Sequence, residues 1–364
     1  MEKVKIDDVL KYEQPTNYLV ENEDYNDSFE TPVLTAGKTF LLGKTNEKSG
    51  IYNNVPVIIF DDFTTAFHYV DFPFKVKSSA MKILKNVEEK SDLKYLYYKM
   101  QTISIDTNLH KRYWISKYSQ IKIKLPPLPA QQKIAAILDQ ADAIIQNNRA
   151  IVQKYDALTQ SLFLDMFGDP VRNEKGWKLD KLSIVAPFKK FDGKIKKING
   201  NYWLLNLDMI EQQTGNVIEK KYVSAKEINT STISFSENQV LYSKLRPYLN
   251  KVLIPDESGY GTSELVPMNP KGGVIDKFFL AHLLRTNNFV NYINDKVAGA
   301  KMPRVNMDTL RDFQIILPPI QLQNQFAERV AMIEAQKQQA QLELAKSEEL
   351  FASLLQRAFN GELN

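Results

Sequence analysis

Two short segments of the sequence concentrate cationic and aromatic side chains. Their members are His110, Lys111, Arg112 and Tyr113 in the first segment, and Lys301 and Arg304 in the second. Lysine, arginine and histidine donate hydrogen bonds to phosphates and base edges, and an aromatic ring offers a surface on which a base can stack. Either segment alone could be a solvated basic loop. Arg304 lies 192 positions after Arg112, however, and two long repeats share that spacing, which favours a common binding role.

Three further groups hold side chains of the same kinds. Five lysines lie between positions 189 and 197; such a run is usually a solvated face, but on a DNA-binding domain it attracts phosphates. A second group is a basic turn stiffened by proline, and a third lies in two polar segments near the start of the chain. The candidates for nucleic-acid binding are Lys194, Lys196 and Lys197, then Lys244, Arg246 and Tyr248, and then Lys38, Thr39, Thr64 and Thr65.

Residue patterns for catalysis are missing. The sequence has no cysteine, and its 3 histidines lie far apart, so thiolate metal sites are excluded and a histidine metal site is not indicated. No glycine-rich dinucleotide loop, no P-loop and no Asn or Asp followed by Pro-Pro and an aromatic residue occurs. Asp61 and Asp62 could form half of a metal site, but a turn at a strand end is favoured. The sequence predicts a chain that is not an enzyme and binds no metal or cofactor.

Composition is that of a globular protein with mildly basic character. Hydrophobic residues make up 43% of the 364 residues, charged residues 25%, and the net charge is +4. This balance permits a nucleic-acid partner without demonstrating one. No apolar run of membrane-spanning length occurs and the chain opens on polar sequence, so the expected compartment is the cytoplasm.

Two stretches without internal glycine or proline predict two long helices. The first follows the entry Leu125-Pro126-Pro127-Leu128-Pro129, and the second follows Leu317-Pro318-Pro319, which begins 192 positions after Leu125. At that offset, and without a gap, Gln131 matches Gln323 and further identities continue to the end of both stretches. A match of this length indicates a duplicated unit.

Both stretches also carry apolar residues at alternating spacings of four and three. This is the period of a coiled coil, so we expect the two helices to pack on each other. The polar exceptions along this seam could fix its register at some cost in stability. They are Asn148 and Thr159 in the first helix, and Lys337 and Ser347 in the second.

The predicted fold class is α+β, with a pseudo-twofold internal repeat. Four segments are expected: a globular domain over 1–124, a long helix over 125–169, a second globular domain over 170–316 and a second long helix over 317–364. A strand closes each domain just before its helix. Residues 177–182 resemble residues 4–9, an offset of 173, so the second domain is expected to be about nineteen residues longer. A single helix is predicted over 275–293.

The arrangement resembles the specificity subunit of type I restriction-modification systems, over essentially the whole chain. The resemblance rests on the LPP-and-glutamine openings at 125–132 and 317–323, and on the strings TPVLTAGK at 31–38, VLYSKLRPY at 240–248 and PRVN at 303–306. One departure is the string QLQ at 321–323, where a proline or an acidic residue is commoner. Another is that the first domain begins almost at Met1.

The resemblance implies two target recognition domains, each reading one half of a split DNA site, and an antiparallel helix pair that sets the gap. It implies two methyltransferase subunits that dock on the helices and bring S-adenosylmethionine for N6 methylation of a flipped adenine. Motor and nuclease subunits, using ATP and Mg, would complete the complex. The candidate docking surface is an extra apolar stripe on the first helix, which could instead pack on the recognition domains: Ile137, Ile144, Ile151 and Leu158.

Three other functions compete with this one. A specificity module of a type II-like enzyme would have nearly the same sequence. A coiled-coil adaptor would bridge proteins without touching DNA, and a free-standing nuclease or methyltransferase would need the motifs that are missing. The sequence does not give the bases read, the gap length, or whether the associated system cuts DNA or only methylates it.

Overall fold

The computed structural model describes residues 2–37, 39–105, 112–297 and 302–363, and the chain folds into two units. Unit 1 comprises Met1–Asn148 and Glu343–Asn364, and unit 2 comprises Arg149–Leu342. None of the helices within the described ranges is long and apolar enough to cross a lipid bilayer.

Unit 1 combines short strands with a few helices. Its elements, in chain order, are β1 (Glu2–Lys5), α1 (Ile6–Val9), β2 (Leu10–Glu13), β3 (Thr31–Leu34), β4 (Leu41–Thr45), β5 (Val57–Asp61), β6 (Phe67–Val70), β7 (Lys75–Val76), β8 (Met81–Asn86), α2 (Leu93–Gln101), α3 (Tyr113–Ser116), β9 (Lys122–Leu125) and the start of α4 (Leu128–Phe167). Short 3-10 turns lie at Pro15–Tyr18 and Tyr118–Gln120.

Strand β5 lies at the centre of unit 1, because its side chains alternate between two cores. It belongs to the four-stranded sheet β2-β8-β5-β6. Ile58 and Phe60 face one core together with helix α2 and Trp114, and Val57 and Ile59 face a second core that also contains Leu34 of the sheet β4-β3-β7.

Unit 2 repeats this plan with different strands. Its elements are β10 (Lys178–Lys181), α5 (Leu182–Val185), β11 (Tyr202–Leu205), β12 (Lys221–Val223), β13 (Ile233–Phe235), β14 (Val240–Ser243), β15 (Val252–Leu253), β16 (Gly259–Gly261), β17 (Leu265–Met268), α6 (Lys277–Arg285), α7 (Asn287–Asn294), α8 (Met307–Arg311), β18 (Gln314–Leu317) and the start of α9 (Ile320–Asn360). Its sheets have the orders β12-β11-β16-β13, β15-β14-β17 and β10-β18.

The two long helices confirm the prediction of paired heptads. Helix α4 has 40 residues and ends at Phe167, directly before Gly168, whose left-handed φ of 75° does not continue the helix; helix α9 has 41 residues. In unit 1, Asn148 Nδ2 donates to Ser347 Oγ at 3.3 Å, so two of the polar seam residues meet. In unit 2, Lys337 Nζ lies 2.6 Å from Asp156 Oδ1. In unit 1, Ile134 and Ala358 line the same pocket, and in unit 2, Arg329 Nη1 lies 4.0 Å from Met166 Sδ. Within each unit, an earlier position on α4 thus contacts a later position on α9, so the helices run antiparallel.

A buried glutamine ties each long helix to its own unit. In unit 1, Gln131 accepts from Asp92 N at 2.9 Å and donates to Lys90 O at 3.0 Å and Pro126 O at 2.8 Å. In unit 2, Gln323 accepts from Asp276 N at 2.9 Å and donates to Val274 O at 3.1 Å and Pro318 O at 2.8 Å. Asp92 and Asp276 are the N-caps of α2 and α6, so these helices occupy equivalent positions.

The lead-in elements correct one predicted alignment. Ile6 N donates to Ile121 O at 3.0 Å, and Leu182 N donates to Phe313 O at 2.9 Å. Leu182 is therefore the counterpart of Ile6, an offset of 176, whereas the prediction of 173 matched the letters Lys-x-Asp. The closing strands keep the offset of 192, since Val4 pairs with Ile123 and Asp180 with Ile315.

The single helix predicted over 275–293 is wrong. The segment forms two helices, α6 and α7, that meet at Thr286. Thr286 has extended backbone, ends α6 and accepts the Phe289 N–H in its side chain at 3.3 Å. A threonine hydroxyl in this role is a helix N-cap, so a new helix begins after Thr286. The apolar periodicity continues across this break and therefore did not reveal it.

Candidate nucleic-acid interface

In unit 2, two of the predicted binding segments lie side by side. Arg246 N donates to Pro303 O at 2.8 Å, and Val305 N donates to Lys244 O at 2.9 Å. The pairing is antiparallel, with Leu245 opposite Arg304. The two segments are about sixty residues apart in sequence, so the fold converts two separate basic signals into one surface.

Arg304 is held at this surface by a carboxylate. Its Nε lies 3.2 and 3.3 Å from the two carboxylate oxygens of Glu264, and its Nη2 lies 3.1 Å from Oε1. The Arg304 side chain is 54% exposed and that of Glu264 is 21% exposed. The backbone of Glu264 also joins the surface, because its carbonyl accepts from Lys244 N at 3.0 Å. Sequence reasoning missed Glu264, since nothing in its neighbourhood signals the partner.

Arg246 is held differently. Its backbone is left-handed, with φ 49° and ψ 65°, and Pro247 opens a 3-10 turn directly after it. A non-glycine residue in this region is strained by roughly 1–3 kcal/mol. The Nε atom of Arg246 is buried and makes no hydrogen bond, and neither a hydrogen bond nor an ion pair engages the guanidinium within the described residues. Tyr248, two residues later, is exposed.

The predicted lysine run forms one wall of a cleft. The cleft has a volume of about 720 Å³ and is lined by Lys194, Lys196 and Lys197 together with Tyr202 and Tyr260. Lys197 Nζ lies 5.2 Å from the ring centroid of Tyr202, and the Tyr202 and Tyr260 centroids are 5.4 Å apart. Cationic and aromatic groups thus converge from β11, β16 and the loop before them. The tyrosines were not predicted, because strand pairing places them there.

In unit 1, Asp62 joins the segment after residue 111 to the loop that follows β5. Its carbonyl accepts from Tyr113 N at 2.8 Å, and its Oδ1 accepts from Trp114 N at 2.8 Å. Its other oxygen lies 3.5 Å from Lys82 Nζ, and both side chains are buried. A buried pair of this kind is costly unless further hydrogen bonds satisfy it. Here the Trp114 N–H satisfies Oδ1, whereas Oδ2 has no hydrogen-bond partner among the described residues and faces only the Lys82 ammonium. Asp62 therefore holds the backbone of Tyr113 and Trp114, the two residues that follow Arg112.

The loop after β5 is the turn expected at Asp61 and Asp62. Asp61 Oδ1 accepts from Phe63 N and Thr64 N, both at 2.8 Å, and Thr65 has a left-handed φ of 58°. Thr64 is exposed and Thr65 is half-buried. Asp62, in the same turn, binds Tyr113 and Trp114, so hydrogen bonds join the turn that carries both threonines to the segment that follows Arg112.

Arg112 and Tyr113 have different environments. Arg112 is exposed at the N-terminus of α3, whereas the Tyr113 side chain is only 1% exposed. Tyr113 packs inward together with Trp114. The prediction that its ring is available for base stacking therefore does not fit its burial. Arg112 is thus the member of this pair that can reach a ligand without rearrangement.

Thr39 lies in a loop that rests on β6. Thr35 Oγ1 donates to the Thr39 carbonyl at 2.7 Å, and His68 Nε2 lies 3.1 Å from the Gly37 carbonyl. The His68 ring also packs on Phe40, with centroids 4.6 Å apart. The remaining predicted candidates lie outside the described residues: Lys38, His110, Lys111 and Lys301.

The predicted docking stripe on α4 is mostly exposed. In unit 1, Ile144 is exposed and Ile137 is half-buried; in unit 2, Ile151 and Leu158 are exposed. Large apolar side chains left open on a helix of this kind indicate a surface that a partner can cover.

A separate cavity of about 590 Å³ lies in unit 2 beside α6 and the long helices. His282 and Arg285 line it. Burial, and to a smaller extent Arg285, lowers the pKa of His282 to about 3, so the imidazole is neutral. Burial lowers the pKa of Arg285 to about 10. Within the described ranges, no cluster of three His, Asp or Glu residues could hold a metal ion.

The model of one protein family matches most of the chain. The family is described as the type I restriction modification DNA specificity domain, and it matches residues 1–154 and 174–344. The two matched segments correspond to the two halves of the internal repeat.

Similar curated proteins are specificity subunits of type I restriction enzymes. The EcoR124I/EcoR124II subunit of Escherichia coli is 47% identical over 171 residues, which cover 46% of this chain and 41% of that protein. The EcoDI subunit, also from Escherichia coli, is 30% identical over 42% of this chain and 35% of its own length. The chain thus matches less than half of either. The MjaVIII subunit of Methanocaldococcus jannaschii is 24% identical over 95% of this chain and 90% of its own.

Solved structures share the fold over the whole chain. The S subunit of a type I restriction-modification system from M. genitalium has a TM-score of 0.58 at 15% identity, covering 98% of this chain and 96% of that one. A chain from a study of complex assembly and conformational transition of the type I R-M system has a TM-score of 0.53 at 14% identity, covering 100% and 98%. The family match over residues 1–154 and 174–344 shows that the chain belongs to the type I restriction-modification DNA specificity family.

Proposed function

We propose that the chain is the DNA sequence-specificity subunit of a type I restriction-modification complex, and that unit 1 and unit 2 each read one half of a bipartite site. The observation that carries this proposal is that the two units share the same structural contacts but differ in the loops that hold the candidate binding residues. The same glutamine contacts and closing strands recur in both units, while the loops that bring forward Arg112 and Arg304 differ. A common frame with different binding residues suits one task performed on two sequences.

The candidate residues divide into two chemical kinds. Lys194, Lys196 and Lys197 line an open cleft and suit the phosphate backbone, which supplies affinity without sequence information. Arg112 and Arg246 stand on segments whose backbones are fixed by hydrogen bonds, and a fixed arginine can address a base edge in the major groove. Both kinds are needed for specific binding.

Partner subunits supply the chemistry in this proposal. Two methyltransferase subunits would cover the exposed apolar residues of α4, including Ile144 in unit 1 and Leu158 in unit 2. They would bring S-adenosylmethionine, and restriction subunits would bring ATP and Mg. The chain itself would be a non-catalytic subunit of the cytoplasm. Helices α4 and α9, which run from one unit into the other, would set the gap between the half-sites.

The test is to co-express the chain with the methyltransferase subunit of its own system and to map methylated adenines by single-molecule sequencing. A motif with two short defined halves around a fixed undefined gap is the expected result. A soluble, assembled complex that leaves adenines unmodified would favour a coiled-coil adaptor and overturn the proposal.

A matched pair of variants assigns the halves. Arg112→Ala removes a candidate base contact from unit 1 and should weaken binding by roughly 1–3 kcal/mol while relaxing one half of the motif. Lys117→Ala removes a cation five residues later in the same unit and serves as the control. Equal effects of both variants on every sequence would mean that Arg112 contacts only phosphate.

A further inference from the structure

We propose that Arg246, and not Arg304, is the arginine of unit 2 that reads a base, that it specifies a G·C pair, and that Glu264 holds Arg304 as a positioning residue. This inference rests on the proposed function and deepens it. The sequence treats Arg112 and Arg304 as equivalent positions of the duplication, but the contacts of the three arginines differ.

The guanidinium of Arg304 is already paired with a carboxylate, in the place where a base would otherwise bind. Its Nε and Nη2 face the carboxylate of Glu264, with three distances between 3.1 and 3.3 Å. One of its donor edges is therefore occupied, and its charge is neutralised. The bound carboxylate also repels the acceptor atoms O6 and N7 that guanine presents in the major groove. Arg304 retains donors on Nη1 and Nη2 for a phosphate, but its orientation is dictated by Glu264.

The Glu264 contact also has a structural consequence. The Glu264 carbonyl accepts from Lys244 N at 3.0 Å, and Arg304 lies opposite Leu245 in an antiparallel bridge. Glu264 therefore binds both strands of the 244–246 and 303–305 pair, one through its backbone and the other through its side chain. Its role is to hold together these two segments, one of which carries Arg246.

Arg246 has the opposite character. No ion pair or hydrogen bond engages its guanidinium within the part of the chain that the structure describes, and its Nε is buried without a partner. Burial of Nε leaves the terminal Nη1 and Nη2 as the pair of donors that can act on a ligand. Two parallel N–H groups match guanine O6 and N7, the commonest specific contact in the major groove.

The backbone of Arg246 is fixed in a strained conformation. It is left-handed at φ 49°, its N–H donates to Pro303 O at 2.8 Å, and its carbonyl accepts from Leu249 N at 2.9 Å. Pro247 follows, and its ring restricts the backbone of Arg246, the residue before it. Strain kept in place by surrounding contacts, at a residue with an unsatisfied buried donor, points to a function that uses the fixed position.

The experiment compares variants in the complex with the methyltransferase subunit, using the map of methylated adenines as the readout. Arg246→Asn removes the guanidinium while keeping a residue that tolerates the left-handed backbone. Arg246→Lys keeps the charge but lacks the fork of parallel donors. Arg304→Lys and Glu264→Gln test the other arm. Arg172→Asn is the control, because Arg172 is an exposed arginine of unit 2 paired with Asp169, away from these segments.

The wild-type motif is expected to contain a G·C pair in the half read by unit 2. Both Arg246 variants should lose discrimination at that pair by roughly 5- to 150-fold and leave the other half unchanged. Arg304→Lys and Glu264→Gln should lower methylation at all sites together, more so at high salt, and keep the motif. Arg172→Asn should match the wild type.

Three results would overturn the inference. The first is a wild-type motif without a G·C pair in the half read by unit 2. The second is an unchanged motif in both Arg246 variants, and the third is a relaxed base position in Arg304→Lys or Glu264→Gln. Co-purification with the methyltransferase and the unfolding midpoint identify a misfolded variant; Arg246→Gly, which relieves the strain, then replaces it. A wild-type complex without any motif would instead refute the proposed function, so the two failures are distinguishable.

Discussion

Replacing Gln131 by methionine tests whether the long helices are tied to their units as the contacts indicate. Gln131 is buried, and its amide makes three hydrogen bonds, to Asp92 N, Lys90 O and Pro126 O, at 2.8–3.0 Å. Methionine has nearly the same shape but neither donates nor accepts usefully. The change therefore isolates the hydrogen bonds from the packing.

The expected cost follows from the number of bonds. Each contributes about 1 kcal/mol net, and the three backbone groups that lose their partner stay in a buried region, so Gln131→Met should destabilise unit 1 by about 3 kcal/mol. That is about two orders of magnitude in the opening equilibrium. Because Asp92 is the N-cap of α2, the opening should begin at the first turn of that helix.

Hydrogen exchange read by mass spectrometry measures this region by region. In Gln131→Met, amides around Asp92 and Tyr95 should exchange about a hundredfold faster, and those of α6 in unit 2 should not change. The matched variant Gln323→Met should give the mirror result at Asp276. A cost below about 0.5 kcal/mol, or faster exchange in the wrong unit, would refute the reasoning, because neither is compatible with three local buried bonds.

Three further predictions concern unit 2. Asp156→Ala leaves the buried Lys337 ammonium without its partner at 2.6 Å and should lower the free energy of unfolding in urea by about 2 kcal/mol. The loss is smaller than for a fully buried pair because Asp156 is 42% exposed. Adding Lys337→Met should recover most of it. The pKa of His282 is lowered from 6.5 to about 3, so between these pH values the unfolded state binds more protons than the folded state. The free energy of unfolding should therefore decrease, by up to about 1.4 kcal/mol per pH unit, as the pH falls below 6.5. His282→Gln should remove this dependence in unfolding measured at pH 7 and 5. Replacing the cleft residues Lys194, Lys196 and Lys197 by glutamine should reduce the salt dependence of DNA binding by about 0.9 in log–log slope for each phosphate that the lysines no longer neutralise, and an unchanged slope would remove the cleft from the interface.

The long helices and their pairing were predictable because their signal is local and long. Roughly forty residues without an internal glycine or proline, with heptad spacing, leave few alternatives. Even the polar seam residues Asn148 and Ser347 contact each other. The predicted offset of 173 between the lead-in elements is wrong by three residues, because a match of a few residue types is too short to define an alignment. The backbone hydrogen bond to Leu182 does set it.

The candidate interface was only partly predictable, for a different reason. Residue type identified Arg246 and Arg304 as candidates, yet it could not show that Glu264 neutralises one and not the other. That distinction depends on contacts between segments about forty residues apart. The burial of Tyr113 follows from the same cause, since a carbonyl at Asp62 determines where its backbone lies.

The division of the chain has a consequence for synthesis. Unit 2 is one continuous stretch, whereas unit 1 needs residues 343–364 as well as the first 148. Ala358 is buried in the core of unit 1, and the Phe359 ring lies 5.4 Å from that of Tyr95. A chain leaves the ribosome N-terminus first. Residues 1–148 of unit 1 are therefore synthesised early, and their apolar surface remains exposed until residues 343–364 have been synthesised. A premature stop codon near position 343 would therefore damage the first-made unit and spare the later one, and nascent chains stalled there should be held by chaperones through residues near Tyr95.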